Sequence, residues 1–213
     1  MMRLSIKVTT LSMLLLLVAA CHNPASDTSR AVTSEPAKQA SPQAAAGGQK
    51  YVITPQNSKI EFIGSKVTGS HNGSFQKFNG EIDHVGNDPT KGRVSITIDM
   101  NSVTTDAAKL TEHLKTADFF DVTKFPQAQF VSTEIKPGGE KGASHTITGN
   151  LTLHGVTKAI SFPATIAVTP DTATVDSNFA INRKDFGVNF AGASDDLIRD
   201  DVVLKFAIRA TKG

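Results

Sequence analysis

Tryptophan is absent and tyrosine occurs once, so the rings that combine apolar bulk with a polar handle are nearly missing. Twelve phenylalanines carry the aromatic content instead, which suits a greasy interior better than a wet recognition surface. Cysteine is limited to Cys21, which excludes a disulfide framework and a Cys-rich zinc site. Excess charge of one sign is lacking too. Arg3 and Lys7 are the only charges in the first 20 residues, which leaves 20 of the 22 basic residues to face 20 acidic ones. A neutral body carries no electrostatic footprint for nucleic acid and argues against a polybasic membrane-surface module. Phosphate loops, G-x-G-x-x-G, His-Glu-x-x-His and G-x-S-x-G patterns are all missing. No nucleophile, base and orienting group can be assembled from local sequence, which lowers the odds of an enzyme.

What is present begins with an address. After Arg3 and Lys7 comes the apolar stretch Leu11 to Val18, of signal-peptide length and too short to span a bilayer comfortably. It ends in Leu17-Val18-Ala19-Ala20-Cys21, which resembles the lipobox of bacterial lipoproteins, with cleavage before Cys21 and lipid added to its thiol. Several acyl chains on one residue anchor stably where one chain does not. His22 follows the cysteine, which favours the outer membrane over inner-membrane retention. From His22 to Lys50, 21 of 29 residues are Ala, Pro, Ser, Thr, Gly or Gln and none is aromatic. Such a segment buries too little apolar surface to order itself and is expected to be a flexible tether. Its r.m.s. span would be roughly 30 Å, at about 5–6 Å times the square root of length.

Beyond Tyr51 the period is two. Ile60 and Phe62, then Val94, Ile96 and Ile98, alternate with polar neighbours. So do Ile147, Gly149, Leu151 and Leu153; Ile160, Phe162, Ala164 and Ile166; Val175, Ser177, Phe179 and Ile181; and Val202, Leu204, Phe206 and Ile208. Each run predicts a half-buried antiparallel strand. Asn87-Asp88-Pro89, Pro137-Gly138-Gly139, His154-Gly155 and Pro170-Asp171 mark turns between them. Phe75 and Phe78 break parity, which predicts a bulge or bend near Gln76-Lys77 in one strand from Ser74 to Ile82. Helical period occurs once, over Asp106 to Thr116, where Ala107, Leu110 and Leu114 share a face. About eight strands and one short helix predict an all-β sandwich or closed barrel. The expected organisation is a signal over 1–20, a lipidated cysteine and tether over 21–50, and one β domain over 51–213.

Candidate chemistry is sparse. Six histidines are scattered, with no close ligand pair to hold a metal. Four carboxylates lie between Asp195 and Asp201 around Arg199, but without the spacing of a calcium loop they read as a solvated acidic turn. Asp118-Phe119-Phe120-Asp121 reads as a plug packing a barrel end, or can place one ring in a core and one at a ligand mouth. Arg183 suits either an anionic head group or a neighbouring acid.

Several strings resemble the YceI-like family: Glu112-His113-Leu114-Lys115-Thr116-Ala117-Asp118-Phe119-Phe120-Asp121-Val122, Phe125-Pro126 with Phe130-Val131-Ser132-Thr133, Gly149-Asn150-Leu151-Thr152-Leu153-His154-Gly155-Val156-Thr157-Lys158, and Ile181-Asn182-Arg183-Lys184-Asp185-Phe186-Gly187. The resemblance covers about Tyr51 to Ala210. It implies an eight-stranded, antiparallel, lipocalin-like barrel whose apolar pocket holds polyisoprenoids, isoprenoid quinones or related long-chain lipids in the periplasm, with no cofactor. The lipobox and the polar, Gly-rich stretch Ser65 to Gly73 depart from the family pattern. The expected ligand-facing set is Phe62, Phe75, Phe78, Ile82, Ile96, Ile98, Phe119, Phe120, Phe130, Leu151, Phe162, Phe179, Arg183 and Phe206. Competing functions are a filled barrel that docks an envelope protein, and a lipid-modifying enzyme using His113, Asp118, Asp121 or Arg183. The expected partners are a long-chain lipid or isoprenoid quinone and a membrane through the anchor, with a homodimer left open and no nucleic acid.

Overall fold

A computed structural model describes residues 23–38, 48–84 and 88–213. The signal over 1–20, Cys21, His22 and Asn87 lie outside the described residues. In chain order the elements are β1 (Ser29–Arg30), β2 (Val32–Ser34), β3 (Gln49–Ile53), β4 (Lys59–Lys66), β5 (Gly69–Phe75), β6 (Phe78–His84), β7 (Arg93–Asp99), β8 (Val103–Thr105), α1 (Ala108–Lys115), β9 (Gln127–Pro137), β10 (His145–Leu153), β11 (Val156–Val168), β12 (Thr172–Asn182), β13 (Gly192–Ala193), β14 (Asp196–Leu197) and β15 (Asp201–Lys212).

Eight strands close on themselves in the order β12-β11-β10-β9-β7-β6-β3-β15 and back to β12, every neighbour antiparallel. The alternation read from the sequence is what closure needs, because one face of each strand then meets the interior. The β10–β11 hairpin turns on His154 and Gly155, both at positive φ, as a two-residue loop between twisted strands requires. The seam between β15 and β3 is short, with Thr211 and Lys212 paired to Val52 and Tyr51. Further along β15, Val203 to Ala207 pair with β4 instead. The wall continues through β5 to β8, and Gln76 N–H reaches the Ser102 carbonyl at 3.1 Å.

Two expectations are corrected. The strand expected from Ser74 to Ile82 is two strands, β5 and β6, that pair with different neighbours; Gln76-Lys77 is where the chain changes partner, not a bulge within one ladder. The second concerns the tether. Over 23–38 the chain lies on the barrel, with β1 parallel to β12 at Phe179–Ala180 and β2 antiparallel to β11 at Ala159–Ser161. The reason is a gap. β11 and β12 pair directly only from Thr165–Asp176 to Val168–Ala173. The N–H of Ile166 points to the β10 side, where it donates to Ser144 Oγ just before that strand. By alternation Pro163 would present its N–H toward β12, and proline has none. The ladder stops there, the strands part, and the strap fills the opening with its own backbone. Ala25 buries itself against Ile63, Ala180 and Val203. Arg30 pairs with Asp201, Lys158 with Glu35, and Asn150 exchanges two hydrogen bonds with Ala37. Composition missed this because the pairing is made by backbone, which Ala, Ser and Thr supply as well as any residue. Residues 39–47 lie outside the described residues.

Candidate functional site: an apolar tunnel with one open end

The inward faces leave a cavity of about 350 Å³ inside the barrel. Its walls are almost wholly apolar. Ile60, Phe62, Val202, Leu204, Phe206 and Ile208 line it from β4 and β15; Val94, Ile96, Ile98, Ala128, Phe130, Ile147, Leu151, Ile160 and Phe162 line it from β7, β9, β10 and β11. Below Ile208 the lumen is filled by buried Tyr51, Ile53, Ala173 and Ala210, with the Tyr51 hydroxyl donating to the Thr169 carbonyl. At the other end Gly64, Ser65, Lys66, His71, Leu110 and Ile198 form the rim. The result is an apolar tube, closed at one end.

Two glycines shape it. A Cβ on Gly73 would lie 2.1 Å from the Phe62 ring, and one on Gly149 would lie 2.5 Å from the Phe130 ring. Each glycine sits across the ladder from or beside a ring that needs its space; Gly149 also marks the β9–β10 register shift. Ring contacts continue around the wall: Phe130–Phe162 at 5.6 Å, Phe62–Phe75 at 5.6 Å and Phe75–Phe120 at 6.3 Å between centroids.

Of the expected ligand-facing residues, Phe62, Phe75, Ile96, Ile98, Phe119, Phe120, Phe130, Leu151, Phe162, Arg183 and Phe206 line the cavity. Phe78, Ile82 and Phe179 do not; they are packed in the surrounding core. Phe179 is wholly buried, stacked on Phe162 at 4.1 Å, so a lining ring covers it. Parity places all three on an inward face, and only the depth of packing separates them from the lumen. Missed by the sequence reading were aliphatics such as Ile60, Ile147, Ile160, Val175 and Leu204, whose alternation was the available signal, and the rim residues Lys66, His71 and Ile198, for which no local signal exists.

Arg183 is 6% exposed at its side chain. Nε donates to the Arg199 carbonyl, Nη1 to Val188 O at 2.6 Å and Nη2 to Ile198 O, with Asp200 Oδ1 3.5 Å away. Burial holds its guanidinium below the ordinary value, and Asp200 opposes that. The side chain pins the segment 188–200 over the rim. The neighbouring-acid alternative is present in Asp200, but most of its donors go to backbone carbonyls. Within the acidic turn, Asp196 pairs with Lys66, Asp200 with Lys184, and Asp201 with Arg30, so the partners come from outside the turn, not from Arg199.

His113 Nε2 lies 2.8 Å from Asp118 Oδ2, with its ring edge-on to Phe119 and Phe190. Asp121 occupies a left-handed turn at φ 43°, its N–H on the Thr116 carbonyl. Arg183 makes its hydrogen bonds elsewhere, so these four groups are not assembled into one polar centre. Among the described residues no three His, Cys, Asp or Glu side chains converge to hold a metal. At the rim, His71 Nδ1 lies 2.7 Å from Asp106 Oδ1, and Asn72 N–H donates to Asp106 Oδ2. That backbone N–H, then His71, hold the Asp106 carboxyl below its usual range.

Comparison with known proteins places this barrel among relatives. A family model described as a YceI-like domain matches residues 51–210. A UPF0312 protein of Pseudomonas putida (strain W619) is 35% identical over 136 residues, covering 61% of this chain and 70% of the relative. A UPF0312 protein of Pectobacterium carotovorum is 47% identical over 92 residues, 43% of this chain and 46% of that one. Among solved structures, BcnA of Burkholderia cenocepacia is similar at TM-score 0.65 and 28% identity, covering 75% of this chain and 99% of its own. A polyisoprenoid binding domain from Saccharophagus degradans aligns at TM-score 0.60, covering 78% of this chain and 99% of its own; at 17% identity it shows the shared fold.

Proposed function

The chain belongs to the YceI-like family, and from that premise we propose that its barrel binds a long-chain isoprenoid or related lipid without chemical change, as a carrier or reservoir at the bacterial envelope. The observation that carries this reading is the tunnel of about 350 Å³, apolar along its walls and open at one end. Burying a chain there is worth roughly 0.8 kcal/mol per CH₂. Three five-carbon units would therefore gain about 12 kcal/mol, well above the lower end of the roughly 4–15 kcal/mol cost of association. Apolar burial is then the main source of affinity. The barrel shared with the Saccharophagus degradans domain makes polyisoprenoids the first class to test. In this reading Cys21 carries the lipid anchor, the outer membrane is the favoured location, and the domain faces the periplasm.

The test is mass spectrometry of an organic extract of residues 23–213, strap included, purified without detergent. A stoichiometric prenyl lipid is expected. The Leu204→Trp variant, which fills the lumen from β15, should keep its fold and lose that lipid. An empty extract from folded wild-type protein would overturn the assignment and favour a filled barrel that docks a protein. A fatty acid or phospholipid would replace the ligand class.

A further inference from the structure

Three large apolar side chains stand out as exposed among the described residues: Val32, Val67 and Leu197. Two of them are neighbours. Val67, in the turn between β4 and β5, is 47% exposed, and Leu197, in the β13–β14 hairpin, is 49% exposed. Val67 N–H donates to the Leu197 carbonyl at 3.1 Å. Each is one position from a residue of the tunnel rim, Lys66 and Ile198, which face each other across an antiparallel bridge. The tunnel therefore opens beside an apolar tip built from two separate loops. Charges beside that tip are mostly paired within the protein: Lys66 with Asp196, which also accepts from the Thr68 N–H and hydroxyl, and Lys184 with Asp200, while the exposed Asp195 sits in the same hairpin turn. A tip of this kind suits a surface that is apolar just below a polar skin, and it does not depend on net charge.

The strap says where such a surface lies. Ala25 packs on Ile63, Ala180 and Val203. Val203 is two residues from the start of β15 at Asp201, the open end, and nine from Lys212 at the closed end. Ile63 lies on β4, four residues before Val67, a rise of about 13 Å. Cys21 is four positions before Ala25, a reach of at most about 14 Å. The described chain therefore begins within that reach of the open end, whereas a flexible tether of roughly 30 Å would leave the orientation free.

We propose that the Val67–Leu197 tip docks on the bilayer that holds the Cys21 acyl chains, setting the tunnel mouth against the membrane so that an isoprenoid passes between bilayer and lumen without crossing water. The proposal rests on Cys21 being lipidated and on the tunnel being a lipid site. The occupant of the tip is a lipid bilayer.

The test uses the full chain matured in a bacterial envelope. Mass spectrometry of the mature N-terminus comes first. Acylation consumes the Cys21 thiol, so a cysteine introduced by Val67→Cys, Leu197→Cys or Asp171→Cys becomes the single site for a bimane label. The last of these sits in the turn at the closed end. The labelled proteins are reconstituted in phosphatidylethanolamine–phosphatidylglycerol vesicles with brominated acyl chains. Labels at positions 67 and 197 should be quenched roughly twofold or more, because an interfacial tip reaches the headgroup–acyl boundary, while the label at 171 keeps its emission. Quenching at 171 equal to that at 67, or none at either rim position, would overturn the docking. The unlabelled V67D/L197D chain should load isoprenoid from vesicles about tenfold more slowly, the worth of burying one such side chain. An unchanged loading rate would also overturn it. An unacylated mature chain would remove the anchor itself, and is read from the mass before vesicles are added. Loss of the lipid-binding reading shows separately, as an empty organic extract.

Discussion

Arg183 gives the rim its shape by spending a buried charge on carbonyl oxygens. Three donors reach Val188, Ile198 and Arg199, tying a segment without long strands to the end of β12. Arg183→Met would keep much of the stem and leave those acceptors unmatched, at a cost of about 3 kcal/mol. Equilibrium denaturation should show that loss, with amide exchange accelerated first over 188–200. A loss under about 0.5 kcal/mol would mean that water replaces the guanidinium freely. Asp106 does a smaller task at the same rim. It ties β5 to the start of α1 through Asn72 N–H and His71, and these partners lower its carboxyl affinity for protons in the folded state. A folded-state pKa below the unfolded one means that its contribution to stability is present above the ordinary aspartate value, near 4, and is lost as pH falls through the lower folded value. Acid titration of stability should therefore flatten in that range for Asp106→Asn relative to the parent. Identical acid profiles would refute this role.

At the scale of elements, the strap and Pro163 act together. Proline ends the β11–β12 ladder, and β1 and β2 take the exposed edges that result. An unpaired edge is a site for association with other chains, so the strap also protects the barrel wall. The Ala31 N–H donates to the Ala180 carbonyl at 2.8 Å. Ala31→Pro removes that donor and should destabilise the protein by about 1 kcal/mol. Hydrogen exchange should rise at Ala180, Ala159 and Ser161 beside the strap and stay unchanged at Ala173, Val175 and Ser177, which pair with β15. Uniform exchange across the barrel would show that the strap and wall unfold as one unit. The helix follows its sequence closely. α1 spans Ala108–Lys115 within the expected stretch, with Leu114 buried and Leu110 at the tunnel rim.

For the whole molecule, an open lumen is a stability cost that a ligand can relieve. A lipid present at about 100 times its dissociation constant would stabilise the barrel by about 2.7 kcal/mol. At about 2–4 °C per kcal/mol for a domain of this size, stripping the lipid should lower Tm by roughly 5–10 °C. Calorimetry of loaded and solvent-extracted protein checks this; equal melting temperatures would mean that the native barrel carries no ligand. Sequence alone determined the class of this protein: period-two alternation marks the strands, and Phe and aliphatics at every second position mark an apolar interior, because strand geometry makes parity a local property. The tertiary structure decided what alternation cannot encode. Phe162 and Phe179 have the same parity and the same chemistry, yet one lines the tunnel and the other is stacked behind it. The strap looked like a tether because its residues contribute backbone rather than apolar bulk, and only the gap left beside Pro163 turns that backbone into structure. The rim joins Lys66, His71, Leu110 and Ile198 from distant parts of the chain. Such convergence is a property of closure, and closure follows from pairings between strands that no local window of sequence contains.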